Sequence, residues 1–248
     1  MPDFRGTAAR LRAAACLRED VPVRAEQVLP RYYPVAVAEL PALSVQQLRD
    51  WLWQRAVHSP AGLLRCHDRR LRGAVVAYRG YGLLCVDAED AAGEQAFTLA
   101  HEAGHFLREH LYPREDLLKR YGPELLAVLN GIRPPTPSER LDALLGRSSL
   151  TLDTYLLDRE PGRGLTLPRE IAAAEAEADW FACELLAPTA ALEARFPHPR
   201  NDADTAALVE HILVREYALP LGPAGRWARR FLSRRGKPLS LLDCLGMR

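Results

Sequence analysis

His101-Glu102-Ala103-Gly104-His105 sets two imidazoles four residues apart, with a carboxylate directly after the first. On an α-helix, positions i and i+4 share a face about one turn apart, so both imidazoles can hold one metal ion. Glu102 stands where it can act as general base on a water beside such an ion. The flanking residues Phe97-Thr98-Leu99-Ala100 and Phe106 are helix-compatible and mostly apolar, which suits a helix inserted into a core. The alternative is an ordinary helix carrying two incidental histidines.

A catalytic zinc normally takes three protein ligands and leaves one position open. The third ligand must come from another element. Segment 175–188 supplies the candidates: Glu175, Glu177 and Asp179 on an alanine-rich, helix-like stretch closed by Pro188. Glu175 and Asp179 are i and i+4 and share a face. Glu175 is read as the metal ligand and Asp179 as the acceptor that fixes a ligand histidine's tautomer. Glu177 points about 200° around the helix from Glu175, so only one of the two can face the metal. A solvated acidic face is the competing explanation. Ala172, Ala176, Phe181 and Leu185 are the expected packing positions, small enough in part for two helices to approach closely.

The elements that must position these residues are legible in outline. Residues 1–60 read as helical, with apolar positions 45, 48 and 52 following a possible Ser44 N-cap. Two β-like runs, Gly73–Tyr78 and Gly82–Asp87, are joined by Arg79-Gly80-Tyr81 as a hairpin. The motif helix starts near Gln95. Turn signals dominate 111–170, where Thr136-Pro137-Ser138-Glu139 resembles a capping box and Leu150–Leu157 alternates like a short strand. That insert is too long for a simple connection and suits a lid or specificity element. A strong helix runs from about Pro168 to Leu186. Two more are expected near Thr205–Tyr217 and Ala224–Ser233, separated by Gly222-Pro223. The predicted class is α+β, predominantly helical. Its parts are a helical N-terminal region (1–60), a core (61–190) with the insert at about 111–170, and a basic helical C-terminal region (191–248).

Composition sets bounds. The chain has 248 residues, 48% hydrophobic and 26% charged, which is ordinary for a globular protein. A net charge of +1 gives no global pull toward nucleic acid or anionic membrane. No stretch nears the roughly 18–20 apolar residues of a membrane span. Arg10, Arg12 and Arg18 interrupt the first apolar segment, so no secretory leader is expected. The cysteines Cys16, Cys66, Cys85, Cys183 and Cys244 are scattered and odd in number, which indicates neither a disulfide framework nor a thiolate site. A reducing cytoplasm is the expected compartment. His58, His67, His198 and His211 lack ligand spacing to one another and read as surface or core residues.

Phe97-Thr98-Leu99-Ala100-His101-Glu102 through His105-Phe106, followed by Glu175-x-x-Ala178-Asp179-x-Phe181-Ala182-x-x-Leu185-Leu186-x-Pro188, resembles the ImmA/IrrE-type zinc metallopeptidases. The resemblance covers residues 97–106 and 175–188, more weakly the hairpin. It implies a reduced thermolysin-like core of small sheet, active-site helix and ligand helix. It implies a metal held by His101, His105 and Glu175, with Glu102 as catalytic base. It also implies an intracellular regulatory endopeptidase that cuts helix-turn-helix repressors, often in mobile-element or stress-response circuits. Zinc is the expected metal, although manganese or iron could use the same ligands. Ala187 stands where methionine is common, and the interval from His105 to Glu175 is longer than in compact members, which bears on the substrate.

Some points stay open in the sequence. The oxyanion-stabilising donor could be His110, Tyr112, Arg140 or Tyr155. If residues 82–87 form a sheet edge, an extended substrate could pair with it. The tail carries Arg226, Arg229, Arg230, Arg234, Arg235, Lys237 and Arg248 against Asp243 alone. With the preceding helix it could form a DNA- or regulator-binding module, the metal site then being degenerate or structural. Against that, Trp227 and Phe231 are four apart and suggest a helix packed on a core with its arginines exposed. A metalloprotease toxin or defence effector would share the chemistry and differ in target.

Overall fold

The computed structural model describes residues 6–18, 21–55, 67–137, 139, 154–158 and 169–235. In chain order it contains α1 (Thr7–Ala14), α2 (Ala25–Tyr32), β1 (Val35–Leu40), α3 (Val45–Gln54), β2 (Leu71–Tyr78), β3 (Tyr81–Asp87) and α4 (Ala92–His105). A π-helical turn at Phe106–Leu111 leads into α5 (Tyr112–Tyr121), a 3-10 turn at Pro123–Leu125 and α6 (Leu126–Leu129). Then follow β4 (Thr154–Asp158), α7 (Arg169–Leu186), α8 (Thr189–Arg195), α9 (Ala203–Tyr217) and α10 (Leu221–Arg235). Helices dominate around one small sheet, as the α+β reading expected.

The hairpin forms for a local reason. Arg79 (φ 53°) and Gly80 (φ 88°) both take left-handed backbone, the two-residue turn whose twist matches the flanking strands. Tyr78 then pairs with Tyr81 and Gly73 with Val86. The sheet order is β1-β3-β2-β4. β3 therefore lies inside the sheet, and residues 82–87 are not an edge. Its apolar run, largely buried, is what an interior strand requires. Among the described residues the outer strands are β1, parallel to β3, and β4, antiparallel to β2. β4 overlaps the run read as a short strand over Thr154–Leu157 and extends to Asp158, while residues 150–153 of that run lie outside the described residues.

β1 corrects the reading of 1–60 as wholly helical. Val35-Ala36-Val37-Ala38 has two β-branched residues and follows Pro34. Proline biases the residue before it toward extended backbone, and Tyr33 is extended at φ −128° and ψ 153°. Among the described residues of 1–60, α1, α2 and α3 are helical as expected, and the Ser44 side chain caps α3 by accepting the Gln47 N–H at 3.2 Å.

Alternation along the strands builds two cores. Ala74, Val76 and Cys85 face α3, packing with Leu43, Leu48 and Leu52. Val75, Ala77, Leu84 and Val86 face the larger cluster, which takes in α2, α4 and α7. Ala8 and Leu11 of α1, Val209 and Leu213 of α9, and Trp227 and Phe231 of α10 join that same cluster. The N- and C-terminal helices thus share the apolar interior that holds the motif helix.

Two local expectations meet different outcomes. Glu139 donates its N–H to Thr136 Oγ1 (3.3 Å) and accepts the Thr136 N–H (2.7 Å), the reciprocal pattern of a capping box. Gly222-Pro223, by contrast, is not the break. Pro220 accepts the Ala224 N–H, so Gly222 and Pro223 sit in the first turn of α10, where N–H groups lack intrahelical partners. The chain turns instead at Ala218, left-handed at φ 54°. Among the described residues, no helix is long and apolar enough to cross a membrane. Cys16, Cys85 and Cys183 are free thiols, while Cys66 and Cys244 lie outside the described residues.

Candidate metal centre

α4 is buried from Phe97 through His105, because it runs between the sheet and α7. Two glycines permit this. A β-carbon on Gly73 of β2 would lie 2.3 Å from Thr98 Cγ2 and 3.1 Å from Glu102 Oε1. One on Gly104 would lie 3.0 Å from the Ala178 Cα, so the backbones of α4 and α7 nearly touch there. The buried stripe of α7 is Ala174, Ala178, Phe181, Ala182 and Leu185, not Ala172 and Ala176, which are exposed. The expected close approach occurs two residues out of the anticipated frame, while Phe181 and Leu185 pack as anticipated.

The stripe carries Glu175 and Asp179 along its border, facing α4. Glu175 reaches His101 Nε2 at 3.3 Å through Oε2 and His105 Nε2 at 3.4 Å through Oε1. The two Nε2 atoms are 3.2 Å apart. Donor atoms of His101, His105 and Glu175 all lie within 4.8 Å of one another, a group that could hold a metal ion. The Asp179 Oδ1 sits 3.1 Å from His101 Nδ1, as anticipated. Glu109, one turn after His105, gives His105 Nδ1 the same partner at 3.2 Å. The sequence reading missed it, although the i, i+4 spacing from His105 was available. Carboxylates at both Nδ1 atoms favour a proton there and aim both Nε2 lone pairs inward. Glu177 turns away and accepts from Arg108 Nε at 2.7 Å.

The donor set fits a cation electrostatically. Burial alone would depress the His101 imidazole, but the Asp179 and Glu175 carboxylates outweigh it and raise its pKa to about 9. Glu109 and Glu175 likewise overcome burial at His105 and raise it to about 10. The two imidazoles in turn hold Glu175 well below the usual carboxylate range, against the effect of burial. Asp179 is also lowered: burial opposes ionisation, and His101 with Arg226 outweighs it. The pocket collects positive charge, as protons on the imidazoles or as a metal ion displacing them.

Glu102 is different. Its side chain is buried and, among the described residues, neither carboxylate oxygen has a hydrogen-bond partner. Burial pushes its pKa up to about 7, with His101 and His105 pulling the other way. A buried, unpartnered carboxyl is costly to structure alone. A value near neutrality is what general acid–base work needs.

The remaining candidates separate. His110 stacks on Phe106 and its Nε2 accepts the Gly80 N–H at 3.1 Å. Tyr112 Oη donates to Thr7 Oγ1 at 3.3 Å. Both side chains are thus engaged in tying the π turn and α5 to their surroundings. Tyr155 pairs with Val75 in β4, and Arg140 and His58 lie outside the described residues. His67, His198 and His211 contribute nothing to the ligand group. In α10, Trp227 and Phe231 are buried as expected. Its arginines do not all point freely outward: Arg226 pairs with Asp179 at 2.9 Å, and the guanidinium groups of Arg230 and Arg234 lie over Trp180. Arg235 stands at the end of the helix, and Lys237 and Arg248 lie outside the described residues. No family model, curated protein or solved structure matches the chain.

Proposed function

We propose that the chain is a zinc-dependent endopeptidase of the ImmA/IrrE type, cutting a specific cellular protein such as a helix-turn-helix repressor. One observation carries the reading: the unpartnered, buried Glu102 lies on the same helix as His101 and His105, whose Nε2 atoms converge with Glu175. The two sequence motifs that carry the family resemblance are the segments that meet there, α4 and α7.

A bound zinc ion supplies Lewis-acid polarisation of a carbonyl and acidifies water. The chain's residues do the rest. His101, His105 and Glu175 provide three ligands, with Asp179 and Glu109 holding the imidazoles in register. Glu102 accepts a proton from the attacking water and returns it to the departing amine as the C–N bond breaks. Its pKa of about 7 suits both transfers. An extended substrate can pair with β4, which has one neighbouring strand among the described residues and whose Leu157 pairs with Gly73. β4 also contacts α4, the helix that carries Glu102.

The test is cleavage. The zinc-loaded protein is incubated with helix-turn-helix repressors of its own genome and fragments are read by mass spectrometry. Cleavage of one repressor, abolished by chelation and by Glu102→Gln, is the expected result. Equal fragmentation by wild type and Glu102→Gln would overturn the proposal.

A further inference from the structure

We infer that Arg226 of the C-terminal helix is a positioning residue of the metal centre, acting on His101 through Asp179. The inference rests on the metal-site reading above. Asp179 divides its two oxygens: Oδ1 meets His101 Nδ1 at 3.1 Å and Oδ2 accepts from Arg226 Nη2 at 2.9 Å. A carboxylate held at one oxygen by a guanidinium cannot rotate freely, so its other oxygen stays aimed at the imidazole. The ring's orientation, and with it the direction of the Nε2 lone pair, is then set from α10.

α10 is held well enough to do this. Trp227 Nε1 donates to the Ala187 carbonyl at 3.2 Å and its ring meets Trp180 edge-on at 4.8 Å. Arg230 and Arg234 lie 4.1 and 4.3 Å from the centre of the Trp180 ring. The buried Trp227 contacts fix where Arg226 enters, and Arg234 adds only an exposed cation over the ring. The other imidazole has a matching arrangement: Glu109 binds His105, and Arg108 donates to Glu109 at 3.2 Å and to Glu177 at 2.7 Å. Each histidine is thus backed by a carboxylate that is itself held by an arginine. For His101 the arginine comes from the basic tail, outside both motifs.

The Arg226 side chain is 56% exposed and that of Asp179 30%, so the effect is modest and salt-sensitive. Zinc affinity of the full chain is measured by competition with a chromophoric chelator, for wild type, Arg226→Gln, Asp179→Asn, the double variant and Arg234→Gln. Asp179→Asn is expected to weaken zinc binding by about 10-fold or more. Arg226→Gln is expected to weaken it by about threefold at low salt, with the difference from wild type closing at about 1 M salt. In the Asp179→Asn background Arg226→Gln should add nothing. Arg234→Gln, which removes a stacking cation from the same helix, should leave affinity unchanged. An unchanged affinity in Arg226→Gln, an equal loss in the Asp179→Asn background, or an equal loss in Arg234→Gln would each overturn the inference and leave the metal site standing. Failure of the wild type to bind zinc would overturn both.

Discussion

Gly73 and Glu102 touch across the interface between β2 and α4 so closely that a β-carbon on Gly73 would come within 3.1 Å of Oε1 and 3.2 Å of Cγ of Glu102. The missing side chain at Gly73 leaves the space beside β2 into which Thr98 and Glu102 fit. Gly73→Ala also brings a β-carbon 2.3 Å from Thr98 Cγ2, so α4 or its side chains must move. A cost of about 1–3 kcal/mol in urea unfolding is expected, with a loss of the proposed peptidase activity greater than any loss of metal binding. An alanine variant as stable and as active as wild type would show that the contact does not constrain Glu102.

Gly104 meets Ala178 where α4 and α7 cross. The histidines ride on α4 and Glu175 on α7, so spreading the helices separates Glu175 from the two imidazoles. Gly104→Val should weaken metal binding by on the order of tenfold, measured by chelator competition. Unaltered affinity in a folded variant would mean that the crossing does not set the ligand spacing.

Much of this site was legible because it depends on local spacing. The i, i+4 pairs His101/His105 and Glu175/Asp179 need only that two segments be helical, and two β-like runs joined by Arg79-Gly80-Tyr81 make the hairpin readable. What escaped depends on tertiary pairing. Periodicity cannot say that β3 has β1 on its far side, so it leaves the sheet edge open and reads β1 into a helical region. The buried frame of α7 was read at Ala172 and Ala176, because an alanine-rich helix offers small residues on several faces. Glu109 carried an unused signal, whereas nothing in the sequence joins Arg226 to Asp179, 47 residues away.

Arg12, a buried cation of α1, ties the N-terminal helix to α7, the helix that carries Glu175. Arg12, 6% exposed, donates to the carbonyls of Leu185 and Arg18. Leu185 lies in the last turn of α7, where a cation also complements the helix dipole. Arg12→Met should cost about 1–3 kcal/mol, since it leaves a buried carbonyl without its donor. A change below about 0.5 kcal/mol, the range of neutral surface substitutions, would contradict this role.

His110 gives the fold an acid-sensitive point. Its Nε2 accepts the Gly80 N–H, which requires the neutral ring, and burial together with the nearby Arg114 lowers its pKa from 6.5 to about 4. The folded chain therefore binds fewer protons here than the unfolded chain. The stabilising contribution is present above pH 6.5 and is lost as the pH falls toward 4. His110→Gln keeps an acceptor and removes the titration. Its stability relative to wild type should rise progressively across that window, read from urea unfolding at successive pH values. A difference independent of pH would contradict the assignment.

The most direct test of the central claim is the metal content of the purified chain, by mass spectrometry, for wild type, Glu175→Ala and Glu177→Ala. About one zinc per chain is expected in wild type and Glu177→Ala, with loss in Glu175→Ala. The opposite pattern would move the third ligand to Glu177, against the pairing of that side chain with Arg108. A wild-type chain that takes up no stoichiometric metal even when zinc is supplied would contradict the account.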